Sequence, residues 1–253
     1  MTHVAIPSHG RAELLNRTTL QTLAAGGIEP DDVRIFVAPD EIPEYIAQLD
    51  KALYAEVVPG RLGLRQNTNA ITEYYPAGER VVHIEDDVEA VWLRDGPKAV
   101  LSTEHDEVDL NAVVAEGFDL CTSTGATLWG VYPVANPYFM HDSARFGVLF
   151  CIGQLFGVVN QPDLLITIDA KTDYERTLLH AERAGLVVRL DHVTCKSRMY
   201  RAGGQQRSDF TRRAANEAGA LALLERFPGL VARKPKDGPV GAEIRLVNPR
   251  SFR

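Results

Sequence analysis

The sequence has no run of eighteen or more consecutive apolar residues, so it contains no candidate transmembrane helix. It also lacks an N-terminal basic region followed by a long apolar one, which is the pattern of a secretory signal. Its first residues, MTHVAIPSHGR, lead straight into a short strand-like stretch. We therefore expect a soluble protein that is not secreted, has no membrane partner and is cytoplasmic.

Cysteine is scarce, because the chain has only Cys121, Cys151 and Cys195, far apart and odd in number. This argues against a disulfide framework or a zinc site and favours buried free thiols in a reducing compartment. Glycine-rich phosphate motifs are missing as well, since neither G-x-G-x-x-G nor a Walker pattern occurs. A dinucleotide site or a Walker-type nucleotide site is therefore not expected.

Acidic residues outnumber basic ones, giving a net charge of -7, but the charge is unevenly distributed. Residues 196–253 contain thirteen Lys and Arg against five Asp and Glu, a balance of +8, which leaves -15 on residues 1–195. A basic C-terminal fifth on an acidic body suits contact with a phosphate backbone or a nucleotide. A solvated basic face, or a tail that docks on the acidic body, explains the same pattern.

The length of 253 residues, with 45% hydrophobic and 24% charged residues, suits one large α/β domain or two small ones. In the first half, strand patterns alternate with helix patterns: strands over 3–7, 33–39, 55–60 and 79–86, and helices over 11–25, 41–53 and 63–75. This alternation predicts an α/β fold with a central, mostly parallel, Rossmann-like sheet flanked by helices. In such sheets the ligand crevice lies outside the carboxyl ends of the strands.

The second half of the chain is predicted to be β-rich and then irregular. Its segments, in order, are aromatic-rich stretches at 118–140 and 146–160, a helix over 171–185, a strand over 186–194 and a helix near 210–226. No repeat, low-complexity segment or linker divides the chain. We therefore expect a single domain over residues 1–253.

Three carboxylates, Glu85, Asp86 and Asp87, stand side by side where the fourth predicted strand ends. Like charges this close repel each other and resist desolvation, so their place at the end of a buried strand calls for a cation. A hard divalent ion is commonly held by one or two carboxylates together with substrate phosphates. A solvated turn or a helix N-terminus is the alternative explanation.

Polar residues also follow the other three strands of the predicted parallel sheet. They are Pro7, Ser8, His9 and Arg11 after the first strand, Pro39 and Asp40 after the second, and Gly60 and Arg61 after the third. A nucleotide-sugar with a divalent metal requires carboxylates for the metal, donors for phosphate, and a carboxylate for ribose or base. The predicted crevice offers all three.

The stretches VAIPSHGR, GRLGLRQNTNAI and IEDD resemble the nucleotide-sugar half of GT-A glycosyltransferases, over about residues 3–90. The resemblance implies a UDP-sugar donor in a half formed by residues 1–90, and Mn²⁺ or Mg²⁺ held by Asp87. Glu85 departs from the Asp-x-Asp motif of that superfamily, although a longer side chain still reaches a ribose. The donor-binding residues that the resemblance implies are Pro7, Ser8, Arg11, Arg65, Asn69, Glu85 and Asp86. Asp40 is a further candidate for donor binding, from its place after the second predicted strand.

The second half, residues 91–253, narrows the resemblance. LWGVYPVANPYFM, KTDYERTLLHAERAG, VVRLDHVTCKSRMYRAGGQQ and AEIRLVNPR look like the TET-associated glycosyltransferases of bacteriophages. This likeness implies that a sugar is transferred to the hydroxymethyl group of 5-hydroxymethylcytosine in phage DNA, in the cytoplasm of an infected bacterium. The acceptor would then be hydroxymethylated DNA, and the basic C-terminal part would contact its phosphates.

The second half also contains candidates for the remaining chemical roles. Asp173 resembles the acidic residue that opens the acceptor-side helix of inverting GT-A enzymes, so it is the candidate general base; a carboxylate favoured by a helix N-terminus is the alternative. His192 is a candidate third metal ligand or diphosphate contact, or else a satisfied strand-end histidine. Arg198 and Tyr200 are candidates for binding the diphosphate, unless they belong to a merely basic loop.

Trp129 and Tyr138 are candidate acceptor-binding residues. An enzyme that modifies a base in DNA often flips the nucleotide and stacks it on an aromatic side chain. Packing in the hydrophobic core is the alternative for both residues. Rival functions are transfer to a small molecule, glycan or protein, nucleotidyl transfer, and non-catalytic binding of a nucleotide-sugar or of DNA.

Overall fold

The computed structural model describes residues 2–95, 100–101, 108–197, 209–238 and 241–248. Within these residues the strands are β1 (Thr2–Pro7), β2 (Val33–Val37), β3 (Glu56–Pro59), β4 (Arg80–Ile84), β5 (Val88–Asp95), β6 (Val100–Leu101), β7 (Leu128–Tyr132), β8 (Ala144–Gly147), β9 (Leu155–Val159), β10 (Val187–Ser197), β11 (Val231–Arg233) and β12 (Ile244–Leu246). The helices are α1 (Ala12–Arg17), α2 (Thr19–Ala25), α3 (Ile42–Gln48), α4 (Leu64–Tyr74), α5 (Leu110–Thr124), α6 (Thr172–Ala184) and α7 (Asp209–Arg226).

One large sheet has the order β3-β2-β1-β4-β9-β7-β10-β5-β6, and β8 also pairs with β10. Strands β3, β2, β1 and β4 are parallel, with Val4 opposite both Val33 and Val82. Strand β9 runs antiparallel to β4 and to β7. The four strands predicted in the first half are therefore confirmed, and their carboxyl ends share one edge of the sheet.

Helix α5 contradicts the prediction that residues 118–124 belong to a β-rich segment. Asp109 caps this helix by accepting a hydrogen bond from the Ala112 amide at 3.1 Å, and Gly125 ends it with a φ of 77° that glycine adopts most easily. The aromatic and glycine content of the region concealed the helical period. The buried residues that reveal it are Leu110, Val113, Val114, Gly117, Phe118 and Cys121.

Helices cover both faces of the sheet, and each face has its own hydrophobic core. Alternate residues of one strand enter opposite cores, because successive side chains point to opposite faces. Val4 and Ile6 of β1 belong to the core that includes α1, α2, α3 and α5, and Ala5 belongs to the core that includes α4, α6 and α7. None of the described helices is both long enough and apolar enough to cross a membrane.

Trp129 lies in the first of these cores, so its predicted acceptor-binding role is wrong. Its side chain is fully buried and meets the ring of Phe118 edge-on, at a centroid distance of 5.7 Å. A methyl group on Gly117 would lie 2.4 Å from the indole, and one on Gly157 would lie 2.2 Å from its Nε1. The ring therefore fills space that these two glycines leave between α5 and β9, and no acceptor reaches it.

Trp129→Ala should lower the free energy of unfolding by about 3–5 kcal/mol, the usual cost of deleting a large buried aromatic side chain. The matched control is Tyr138→Ala, at a side chain that is 81% exposed, and this change should stay within about 0.5 kcal/mol. Urea denaturation followed by circular dichroism measures both. A small effect of the Trp129 substitution would contradict its place in the core.

Candidate active site

Three loops meet at the edge where the parallel strands end. The Ser8 amide, after β1, donates to the Phe36 carbonyl of β2 at 3.0 Å. The Glu85 amide, after β4, donates to the Gln154 carbonyl just before β9 at 3.1 Å. The loop after β1, the acidic turn after β4 (Glu85, Asp86 and Asp87) and the loop before β9 therefore adjoin one another.

Threonine hydroxyls hold the backbone of the acidic turn. The predicted helix over 11–25 is divided at Thr18 into α1 and α2, which brings hydroxyls onto the turn. Thr19 Oγ1 donates to the Glu85 carbonyl at 2.7 Å and accepts from the Val88 amide at 3.0 Å. Thr18 Oγ1 lies 3.1 Å from the Asp86 carbonyl. These hydrogen bonds fix the shape of the turn, and the sequence analysis did not assign them.

The cation beside the acidic turn is the Arg11 guanidinium, which was predicted to bind the donor. Its Nη1 lies 3.2 Å from Asp86 Oδ1 and 3.6 Å from Asp87 Oδ2. Ser8 Oγ donates to Asp86 Oδ2 at 2.6 Å and pairs with the Tyr45 hydroxyl at 2.7 Å. Asp86 and Ser8 are both buried. Their structural role is therefore to build the edge, and direct contact with a donor stays a prediction for both.

Asp87 has an unsatisfied carboxylate oxygen. Its side chain is buried, and within the described part of the chain nothing hydrogen-bonds to Oδ1. Burial raises the pKa of Asp87, and the nearby Asp86 raises it further. A buried carboxylate oxygen without a partner is costly, and a divalent cation satisfies it. The donor atoms at this position therefore fit Mn²⁺ or Mg²⁺.

The described residues contain no cluster of three His, Cys, Asp or Glu side chains around one point. An ion at Asp87 would therefore draw its other ligands from substrate phosphates and water, as Mg²⁺ usually does. His192 is not such a ligand, because it lies too far along β10. Ser197 of this strand pairs with Val88, the residue after Asp87, and His192 lies five residues before Ser197. At about 3.3 Å per strand residue, this separation is roughly 16 Å.

His192 instead places Nε2 3.1 Å from a carboxylate oxygen of Glu116 in α5. The prediction that it binds the metal together with Asp87 is therefore wrong. The physical reason is the direction of β10, which reaches the site edge only at its carboxyl end. Sequence reasoning had placed His192 at the end of a strand over 186–194, whereas the strand continues to Ser197.

Asp173 and Glu85 face each other across Gly153. A methyl group on Gly153 would lie 3.0 Å from Asp173 Oδ1 and 3.1 Å from Glu85 Oε1, so a side chain at this position would press on both carboxyl groups. The Gly153 amide donates to Asp173 Oδ2 at 3.2 Å. Burial raises the pKa of Glu85 to about 8, with the charge of Asp173 as the next cause. At neutral pH Glu85 is therefore mostly protonated.

Both predicted roles of Asp173, general base and carboxylate at a helix N-terminus, stay predictions. Asp173 lies in the first turn of α6, but its carboxylate accepts from Gly153 and, at 3.3 Å, from Arg176 Nη2. The residue before this helix, Lys171, has a φ of 61° and makes no side-chain capping bond. The carboxylate is thus turned toward Glu85, where a cavity of about 30 Å³ lined by Pro7, Glu85, Gly153 and Asp173 opens between α4 and α6.

The other predicted donor-binding residues have varied surroundings. Arg65 Nε pairs with Asp169 at 2.7 Å, and the Asn69 amide exchanges two hydrogen bonds with the Ile166 backbone, each of 2.9 Å. Both therefore tie the segment before α6 to α4. Asp40 is exposed after β2. Donor contacts by these residues stay predictions, and Arg198 and Tyr200 lie outside the described residues.

Tyr138 is exposed but belongs to a loop at the far end of β5. The neighbouring Pro137 carbonyl accepts from Arg94 Nε at 3.1 Å. Arg94 lies seven residues along the chain from Asp87, which at about 3.3 Å per strand residue is roughly 23 Å. Tyr138 therefore adjoins the end of β5 that is remote from the acidic turn. Its acceptor-binding role stays a prediction.

Part of the basic C-terminal charge is neutralised by acids of the same chain. Arg226 Nη1 lies 2.7 Å from the buried Glu175, and Arg233 Nη1 lies 2.8 Å from Glu217. Lys234 Nζ lies 3.6 Å from Glu243. Among the described residues, the Arg226–Glu175 pair joins the basic segment to the acidic body, as the docking alternative expects, whereas Glu217 and Glu243 belong to the basic segment and are already counted in its +8 balance.

Glu85→Gln should make the stability of the metal-free protein less dependent on pH. A carboxyl group whose pKa rises from 4.5 to about 8 on folding makes a contribution to stability that is fully present below about pH 4.5 and is lost progressively as the pH rises to about 8. We expect the free energy of unfolding, measured with urea in EDTA from about pH 5 to pH 9, to fall less steeply in the variant. Equal slopes would mean that Glu85 is ionised throughout.

No protein-family model and no curated protein sequence matches this chain. Solved structures match it by shape. S. aureus TarS 1-349 matches with a TM-score of 0.50 and 10% identity, over 88% of this chain and 65% of that one. A mycobacterial protein matches with a TM-score of 0.52 and 12% identity, over 98% and 84%. Together with the sheet order, these likenesses show the fold: a GT-A-like α/β arrangement in which a large, mostly parallel sheet is flanked by helices.

Proposed function

We propose that this protein is a glycosyltransferase that moves a sugar from a UDP-sugar to an acceptor hydroxyl with the help of Mn²⁺ or Mg²⁺. The observation that carries the proposal is the buried, unpartnered Oδ1 of Asp87, close to a second carboxyl pair formed by Glu85 and Asp173. The free oxygen of Asp87 suits a metal ion at the diphosphate end of a donor, and the Glu85–Asp173 pair suits an acceptor hydroxyl. The GT-A fold agrees with both assignments.

The reaction is a single displacement at the anomeric carbon of the sugar. The acceptor oxygen forms a bond to this carbon while the bond to the diphosphate oxygen breaks, and the diphosphate leaves with the electron pair. Asp173 takes the acceptor proton, held in place through Gly153 and Arg176. A divalent ion at Asp87 would supply charge that stabilises the leaving diphosphate. A displacement of this kind inverts the anomeric centre.

For the acceptor we propose the hydroxymethyl group of 5-hydroxymethylcytosine in phage DNA, with the cytoplasm of an infected bacterium as the location. The resemblance of the second half to TET-associated glycosyltransferases supports this acceptor, and so does the +8 balance of residues 196–253. Transfer to a non-DNA acceptor is the second candidate. The ion pair between Arg226 and Glu175 favours it, because this pair uses basic charge that DNA would otherwise meet.

A panel of donors and acceptors tests the proposed function. The protein is incubated with Mn²⁺, a series of UDP-sugars, and DNA that contains either 5-hydroxymethylcytosine or cytosine. The DNA is then digested, and the masses of its nucleosides are measured by mass spectrometry. We expect UDP release and a mass increase of one hexose or related sugar with hydroxymethylated DNA only. UDP release with glycan, protein or small-molecule acceptors alone would support the second candidate. Release of pyrophosphate, or binding without UDP release, would contradict glycosyl transfer.

Asp87→Ala should reduce transfer by at least about 100-fold while leaving the protein folded, since one preorganised electrostatic contact contributes roughly 3 kcal/mol. EDTA should have a comparable effect on the wild type. The control is Asp31→Ala, at an exposed carboxylate just before β2, which should leave the rate unchanged. Rates from UDP release and melting temperatures measure the outcome. Undiminished wild-type turnover after exhaustive EDTA treatment would overturn the metal assignment.

A further inference from the structure

Arg176 is a buried cation in α6 that sequence analysis did not single out. Its side chain is only 8% exposed. Its Nη2 donates to the Cys151 carbonyl at 3.2 Å and to Asp173 Oδ1 at 3.3 Å. Among the described residues, Asp173 is the acid that pairs with it. The guanidinium therefore joins the candidate base to the loop that leads to Gly153.

The plane of this guanidinium is held by the central sheet. Its central carbon lies 3.6 Å from the centroid of the Phe156 ring. The Phe156 ring stacks on His83, with centroids 4.6 Å apart and an angle of 13° between the rings. His83 and Phe156 are opposite each other in the β4–β9 ladder. Arg176 is thus fixed against two strands, whereas Asp173 alone would be free to rotate at the start of a helix.

Stability alone does not account for a cation in this place. Removing a guanidinium from water is costly, and the cost is recovered only when its donors are satisfied. Arg176 Nε is buried, and the described residues give it no hydrogen-bond partner. Its ion partner Asp173 is itself 30% exposed, so the pair is weakened by solvent. An apolar side chain would fill the site at lower cost, which points to a role in positioning.

We propose that Arg176 is the positioning residue of the acceptor base. It holds Asp173 Oδ1 while the Gly153 amide holds Oδ2, so that the carboxylate keeps one orientation toward the acceptor hydroxyl. The proposal rests on the proposed function, in which Asp173 takes the acceptor proton. It adds a residue that acts only through Asp173 and has no part in binding the donor.

The first test compares Arg176→Met with the wild type, because methionine retains much of the packing on Phe156 and removes the charge. We expect kcat for transfer from UDP-glucose to hydroxymethylated DNA with Mn²⁺ to fall about 100-fold, the effect of a slightly misplaced reactive group. The donor KM should change less than about twofold, since the contacts of Asp87 are untouched. Arg183→Met, on the same helix but paired with Asp163 at the surface, is the matched control.

A double-mutant cycle with Asp173→Asn separates positioning from general structural damage. If Arg176 acts through Asp173, adding Arg176→Met to Asp173→Asn should change the residual rate by less than about twofold. Additive losses, or an equal loss of donor affinity, would overturn the proposal. Should Arg176→Met fail to fold, Arg176→Lys serves in its place, because it keeps the charge but cannot reach both acceptors in the same geometry. An inactive wild type would overturn the proposed function and this inference together.

Discussion

Desolvation of three adjacent carboxyl groups after β4 is the constraint on which the rest of the site depends. Burial raises the pKa of all three carboxyl groups, and each of them has different surroundings. Asp86 accepts hydrogen bonds from Ser8 and Arg11, and Glu85 is held neutral beside Asp173. Among the described residues, one carboxylate oxygen of Asp87 has no hydrogen-bond partner. Local electroneutrality is therefore incomplete among these groups, and the proposed divalent cation would complete it.

The acidic turn after β4 directs neighbouring carboxyl groups to different surroundings. Asp86 points toward the loop after β1, and Glu85 points toward the start of α6. The proposed donor-side and acceptor-side chemistry are thereby separated by a single peptide unit. Gly153 lies between Glu85 and Asp173, and a side chain there would contact both carboxyl groups tightly. The proposed reaction needs this closeness.

Several elements of the site were predictable because they depend on local patterns. Apolar runs that end in polar residues predicted β1 to β4 and their common edge, and the first turn of α6 located Asp173. Trp129 and His192 were assigned wrongly for a different reason. The indole of Trp129 is enclosed by Gly117 and Gly157, which are distant in sequence, and the position of His192 depends on the register of β10 against β5.

The sequence by itself determined the alternation of strands and helices, the acidic turn after the fourth strand and the excess of basic charge near the C-terminus. These follow from periodicity and composition, which act over a few residues. Contacts between distant elements established that Glu85 adjoins Asp173 and that Asp87 Oδ1 has no hydrogen-bond partner among the described residues. They also established that Arg176 donates a hydrogen bond to Asp173 from a position fixed against the sheet. Such facts arise from contacts between elements far apart in the chain, where burial and hydrogen-bond geometry set the energies.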